Sequence, residues 1–233
     1  MRSSVLLVTA TLALVASSGV GAHSHAKDFC LEPGERAVHL RTSDGARIYG
    51  VAVGKGQTGL VLAHQYGSDH CEFMYLARDL APLGYRTLAI DLRDNGFSRG
   101  GAPGRYDRDV AAAVAWLRAN GSTRIKLMGA SMGGTAVLVA AASIAPRVDG
   151  VVSLSAPAEY NGLDALRAVT RSRVPVRFVV AKDDSPFAAD ALKMARAAAA
   201  KDKATLRLAG SAHGSSLLEF PRGRTFVLDF LAR

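Results

Sequence analysis

Apolar residues along this chain fall into short runs separated by polar turns, and their spacing alternates between two periods. Arg36 to Thr42 and Arg47 to Val53 alternate apolar and polar positions around Ser43-Asp44-Gly45, which predicts an antiparallel hairpin. Gly59 to His64 is instead a continuous apolar run, the pattern of a strand covered on both faces. Glu72 to Leu83 carries Phe73, Leu76, Ala77 and Leu80 at helical spacing and stops at Gly84. Tyr85 to Ile90 is the next strand, and Tyr106 to Ala119 a helix with Val110, Val114 and Leu117 on its apolar side, ended by Asn120-Gly121. A further apolar run stops at Gly129. Thr135 to Ala145 then reads as an alanine-rich helix buried all round. Val151 to Leu154, Val176 to Val180 and Thr205 to Leu208 are strands, with helices over Leu163 to Val169, Phe187 to Ala200 and Arg224 to Leu231. A hairpin followed by alternating strands and helices predicts an α/β fold: a mostly parallel, doubly wound, eight-stranded sheet flanked by helices.

Composition narrows this picture. The chain has 233 residues and is 49% hydrophobic, enough for one full core. Met1-Arg2-Ser3-Ser4 precedes an apolar run, Val5 to Ala16, too short to cross a bilayer of about 30 Å as a helix. Val20-Gly21-Ala22 and Ser24-His25-Ala26 place small residues where a signal peptidase reads. Residues 1–26 are therefore expected to be a cleaved signal peptide and 27–233 a single domain, secreted or periplasmic, without stable membrane insertion. Export makes pairing the expected fate of the two cysteines, Cys30 and Cys71. With two cysteines and scattered histidines the sequence shows no metal-ligand spacing, and no metal is expected. The formal charge of +9, or +8 without Arg2, is spread along the chain with no basic run, which argues against a nucleic-acid partner.

Candidate chemistry sits just after strands, where such sheets bind ligands. Gly129-Ala130-Ser131-Met132-Gly133 fits Gly-x-Ser-x-Gly. A serine on a sharp strand-to-helix turn has strained backbone angles, and glycines on either side let neighbouring chain approach. The same turn puts the Met132 amide at a helix N-terminus, suited to an anion. Elsewhere, His64-Gln65-Tyr66-Gly67, Asp91 to Ser98, Asp183-Asp184 and Ser211-Ala212-His213-Gly214 each follow a strand.

From about Arg36 to the C-terminus the chain resembles the α/β-hydrolase superfamily, in its small, lidless forms related to dienelactone hydrolases and bacterial secreted esterases. Ser131, Asp184 and His213 reproduce that family's Ser, Asp, His order. Asp91 to Ser98 resembles its Asp-x-Arg-Gly-x-Gly-x-Ser turn, with Asp94 where glycine is usual. The resemblance implies that Ser131 is the nucleophile, His213 its base and Asp184 the orienting carboxylate. Family spacing favours Asp184 over the adjacent Asp183. It also implies an oxyanion hole from the Met132 and Tyr66 amides, with Tyr66 and Gln65 at the substrate. Gln65 departs from the family's usual glycine. The segment from Ser155 to Val174 has room for one short helix and no large cap, so an open site is expected. The function implied is a serine hydrolase of small-molecule or polymeric esters, monomeric and without a cofactor. An acyltransferase or peptidase on the same triad, or a non-catalytic binding module of the same fold, are the alternatives. Of the other histidines, His64 is expected to be a structural hydrogen-bonder and His39 and His70 surface or hairpin residues, with Phe73 and Trp116 in the core or helix packing.

Overall fold

A computed structural model describes residues 27–233; the predicted signal peptide lies outside the described residues. Strands β1 (Arg36–Arg41) and β2 (Arg47–Val53) form the antiparallel hairpin. Strands β3 (Thr58–Ala63), β4 (Tyr85–Ile90), β5 (Arg124–Ala130), β6 (Gly150–Leu154), β7 (Val176–Ala181) and β8 (Lys203–Leu208) run parallel to one another. The eight make one sheet in the order β1-β2-β4-β3-β5-β6-β7-β8.

Alternation along the central strands sends successive side chains to opposite faces, and both faces are covered. Val61, Leu127, Val151 and Phe178 point to a layer formed by helices α2 (Tyr106–Ala119), α3 (Met132–Ala141), α4 (Ala165–Arg171) and α5 (Phe187–Ala197). Leu60, Leu62, Met128, Val152 and Val179 point the other way, to α1 (Met74–Leu80) and α6 (Pro221–Leu231). Each such side chain fully buried contributes about 1.5–3 kcal/mol. The continuous apolar runs of the sequence are thus the physical cause of the three-layer arrangement.

Local chemistry moves several element boundaries from their expected places. The helix expected over Glu72 to Leu83 is split into a 3-10 turn (His70–Phe73), α1 and a second 3-10 turn (Ala81–Leu83). Pro82 has no amide to continue the ladder, and Gly84 ends it in the left-handed region at φ 86°. The helix expected from Leu163 begins at Ala165, because the Asp164 side chain caps the Arg167 amide at 2.7 Å. Leu163–Asp164 instead pair with Glu159–Tyr160 in a two-residue ladder. The last helix starts at Pro221 rather than Arg224, proline being well suited to a first helical position.

Phe73 is fully buried, and Trp116 packs partly against the core with the Arg36 guanidinium 5.3 Å from its ring centre. A Cys30–Cys71 disulfide ties the N-terminal arm to the loop after β3. Closing a loop with a sequence separation of 41 stabilises by about 4 kcal/mol in the chain-entropy account.

Candidate active site

Parallel register brings the strand ends into one row. Ala63 pairs with Gly129, Ala130 with Leu154, Leu154 with Val179, and Ala181 with Leu208. His64, Ser131, Ser155, Asp184 and His213 follow those ends, so residues up to 149 positions apart in sequence share one edge of the sheet.

Ser131 holds the strained conformation the motif requires, with φ 46° and ψ −113°. A β-carbon on Gly129 would lie 2.2 Å from Gly133 O, and one on Gly133 would lie 2.2 Å from Ala63 O and 2.6 Å from His64 O. Only glycine fits at either position. α3 begins at once with Met132, and it is apolar almost all round as expected, although it ends at Ala141.

Between the two adjacent aspartates the geometry distinguishes clearly. Asp183 is exposed, while Asp184 is buried, and both its oxygens lie 3.0–3.1 Å from His213 Nδ1. Asp184 Oδ2 also accepts a 2.6 Å hydrogen bond from the Ser155 hydroxyl. Ser155 was not singled out by the sequence. Its one signal is position, a small polar residue directly after β6, and its partner is 29 residues away. Ser131 and His213 line the same cavity, with no hydrogen bond between them among the described residues. Such contacts are often long before substrate binds.

The loop after β3 is held by a neutral imidazole. The Leu92 amide donates to His64 Nε2 at 3.0 Å, so Nε2 is unprotonated and Nδ1–H donates to Gln65 O at 2.7 Å. Burial lowers the His64 pKa, which keeps the ring neutral. His64 is therefore the structural hydrogen-bonder expected of it. The Gln65 amide donates to Glu72 Oε2 at 3.0 Å, fixing the other side of the turn. The next amide, that of Tyr66, and the Met132 amide have no acceptor among the described residues. The Gln65 side-chain oxygen packs against Gly214, next to His213, and is buried with no hydrogen-bond partner.

These residues open on a cavity of about 420 Å³ lined by Gln65, Tyr66, Ser131, Pro157, Tyr160, Phe187 and His213. The Tyr66 ring is 75% exposed at its mouth. Phe187 packs against His213 with ring centres 4.3 Å apart and planes tilted by 53°. Pro157 lies on a loop, Tyr160 in the two-residue ladder and Phe187 at the start of α5, none of them in a motif, and only the sheet register brings them here.

The Asp91 to Ser98 turn is structural. Asp91 is buried and accepts from the His70 amide, His70 Nδ1 and the Phe97 amide at 2.7–2.8 Å. A β-carbon on Gly96 would lie 2.1 Å from that carboxylate. Asp94 has φ 61°, so it adopts the left-handed conformation that glycine usually supplies, and its carboxylate takes the Gly100 amide. Arg93 is buried between Asp44 and Asp109, and these pairings hold its guanidinium protonated.

His70 corrects an expectation: it is buried, not a surface residue, because Asp91 and Asp28 engage its two ring nitrogens. The sequence shows no ligand spacing, yet the fold gathers one atom each of Asp28, Cys30, His70 and Cys71 within 4.8 Å of one another.

Residues 59–177, just over half of the sequence, match the alpha/beta hydrolase fold family, and the chain belongs to that family. No curated protein matches it. Among solved structures it is similar to an esterase from Pyrococcus furiosus (17% identity, TM-score 0.72, covering 84% of this chain and 88% of that one). It is also similar to an esterase from Exiguobacterium antarcticum (15%, TM-score 0.69, 85% and 100%). A dienelactone hydrolase from Anabaena variabilis aligns at 25% identity, TM-score 0.66, over 84% and 94%.

Proposed function

We propose that this chain is an exported serine hydrolase that cleaves carboxylic esters through an acyl-enzyme. The observation that carries the reading is the strained Ser131 on one cavity with His213, whose Nδ1 is held by Asp184. With Nδ1–H donated to Asp184, His213 Nε2 is the free base. It takes the Ser131 proton as Oγ attacks the ester carbonyl, and returns it to the departing alcohol. A water then repeats the sequence on the acyl-enzyme. Asp184 keeps the ring oriented and stabilises the imidazolium. The Met132 and Tyr66 amides, which have no acceptor among the described residues, take the developing oxyanion, each contributing about 3 kcal/mol.

Specificity follows from the walls. Tyr66, Pro157, Tyr160 and Phe187 offer apolar and aromatic surface, suited to the acyl or aryl part of an ester. The segment after β6 adds only a two-residue ladder and α4, so bulky or polymeric esters can reach Ser131. The esterase neighbours agree with this chemistry. Export rests on the N-terminal residue pattern, and sequencing the mature N-terminus tests it.

The deciding experiment is labelling with a fluorophosphonate, with the modified peptide located by mass spectrometry. Label on Ser131, lost in His213→Ala, is expected. Folded protein that takes no label, or label elsewhere, would sink the assignment.

A further inference from the structure

The donors that gather around the disulfide have the composition and surroundings of a zinc site. His70 is buried with Nδ1 bonded to Asp91 Oδ1 at 2.8 Å. Its Nε2 therefore points away from Asp91, and it faces Asp28 Oδ2 at 3.1 Å and Cys71 Sγ at 3.8 Å. The Asp28 carboxylate is itself oriented, by the Tyr49 hydroxyl at 2.6 Å and the Cys30 amide at 2.9 Å. Asp28, Cys30 and Cys71 are only partly buried, so an ion can enter from solvent.

We propose that reduction of Cys30–Cys71 converts this cluster into a zinc site, with Cys30 Sγ, Cys71 Sγ, His70 Nε2 and an Asp28 oxygen as the four ligands. Two thiolates, an imidazole and a carboxylate form a set that suits tetrahedral zinc and is too soft for calcium or magnesium. Ordinary zinc bond lengths set the ligands about 3.3–3.8 Å apart. The four donors already lie within 4.8 Å, so movements of about an ångström assemble the site. Asp91 on His70 and Tyr49 on Asp28 are the outer partners that fix ligand orientation in zinc proteins.

The chemistry balances. A dithiol reductant gives two electrons and two protons. Its thiolate attacks one sulfur, the S–S bond breaks, and its second thiol resolves the mixed disulfide. Cys30 and Cys71 are left as thiols and the reductant as a disulfide. Zinc then displaces the two thiol protons as it binds. Thus one cluster would pin the N-terminal arm in either redox state, through a covalent bond or through a metal.

The test uses native mass spectrometry of the full mature chain with added zinc, oxidised or reduced by a phosphine. One zinc on the reduced chain and none on the oxidised chain is expected. Cobalt in place of zinc should give thiolate-to-metal charge-transfer absorption. Cys71→Ser should abolish binding, and Asp28→Asn, nearly isosteric and on the arm, should weaken it at least about tenfold. If the reduced chain loses structure before metal is added, zinc must restore its circular dichroism and melting transition. Equal zinc uptake in both redox states, no uptake by the reduced chain, or unweakened binding by Asp28→Asn overturns the proposal.

Discussion

The Ser155 hydroxyl lies 2.6 Å from Asp184 Oδ2, the oxygen that also faces His213 Nδ1 at 3.0 Å. Ser155 has φ 50°, in the left-handed region that residues other than glycine rarely adopt. A hydrogen bond to a charged acceptor is worth about 1.5–3 kcal/mol. Ser155→Ala should therefore lower kcat by about 10- to 100-fold with little change in KM. The loss comes from orientation: without the Ser155 hydroxyl the carboxylate is free to turn away from His213 Nδ1. A loss that falls on KM with kcat unchanged would make Ser155 merely structural.

The two aspartates give a paired test. Asp184→Asn removes the carboxylate at His213 Nδ1 and should reduce kcat by up to about 10⁴-fold. Asp183→Asn changes an exposed side chain and should leave turnover within about twofold, since surface changes of this kind cost under about 0.5 kcal/mol. Steady-state kinetics on one chromogenic ester separates them, and equal losses would contradict the assignment of Asp184.

At the elbow, Gly133→Ala forces a β-carbon to within 2.2 Å of the Ala63 carbonyl, backbone that has nowhere to go. Overpacking of this kind costs about 1–3 kcal/mol, and here the upper end is expected. Gly34→Ala, at φ 90° with open space around it, bears only the left-handed penalty of about 1–2 kcal/mol. Urea midpoints compare the two. A Gly133→Ala variant as stable as wild type would mean the elbow is looser than its geometry implies.

Much of this was readable before the fold was seen, and the reason is locality. The elbow glycines, the apolar strands and the strand-end positions of Ser131, Asp184 and His213 are properties of contiguous sequence. What could not be read is set by register and by distant partners. His70 looks like a surface histidine until Asp91, 21 residues on, and Asp28, 42 residues back, close on it. Ser155, Tyr160 and Phe187 gain a role only because β5, β6 and β7 align their ends. Helix boundaries shifted where one side chain, such as Asp164 or Pro82, decided the capping.

Lys126 gives the fold a pH signature. Its buried ammonium donates to Phe230 O at 2.8 Å and Leu231 O at 2.7 Å, at the end of α6. Burial lowers its pKa from 10.5 to about 8. Below pH 8 the lysine is charged in both folded and unfolded chains, and the fold carries the full cost of that burial. Between pH 8 and 10.5 the unfolded chain keeps a proton that the folded chain has released, so this residue makes stability rise with pH. Tyr85, whose hydroxyl donates to the same Leu231 carbonyl, acts oppositely and later. Burial raises its pKa above 10.0, so it lowers stability only above that pH. Urea denaturation at pH 7.5, 8.5 and 9.5 should show a steeper rise, or shallower fall, in wild type than in Lys126→Met. Parallel pH dependences for the two proteins would mean that Lys126 titrates as it does in the unfolded chain.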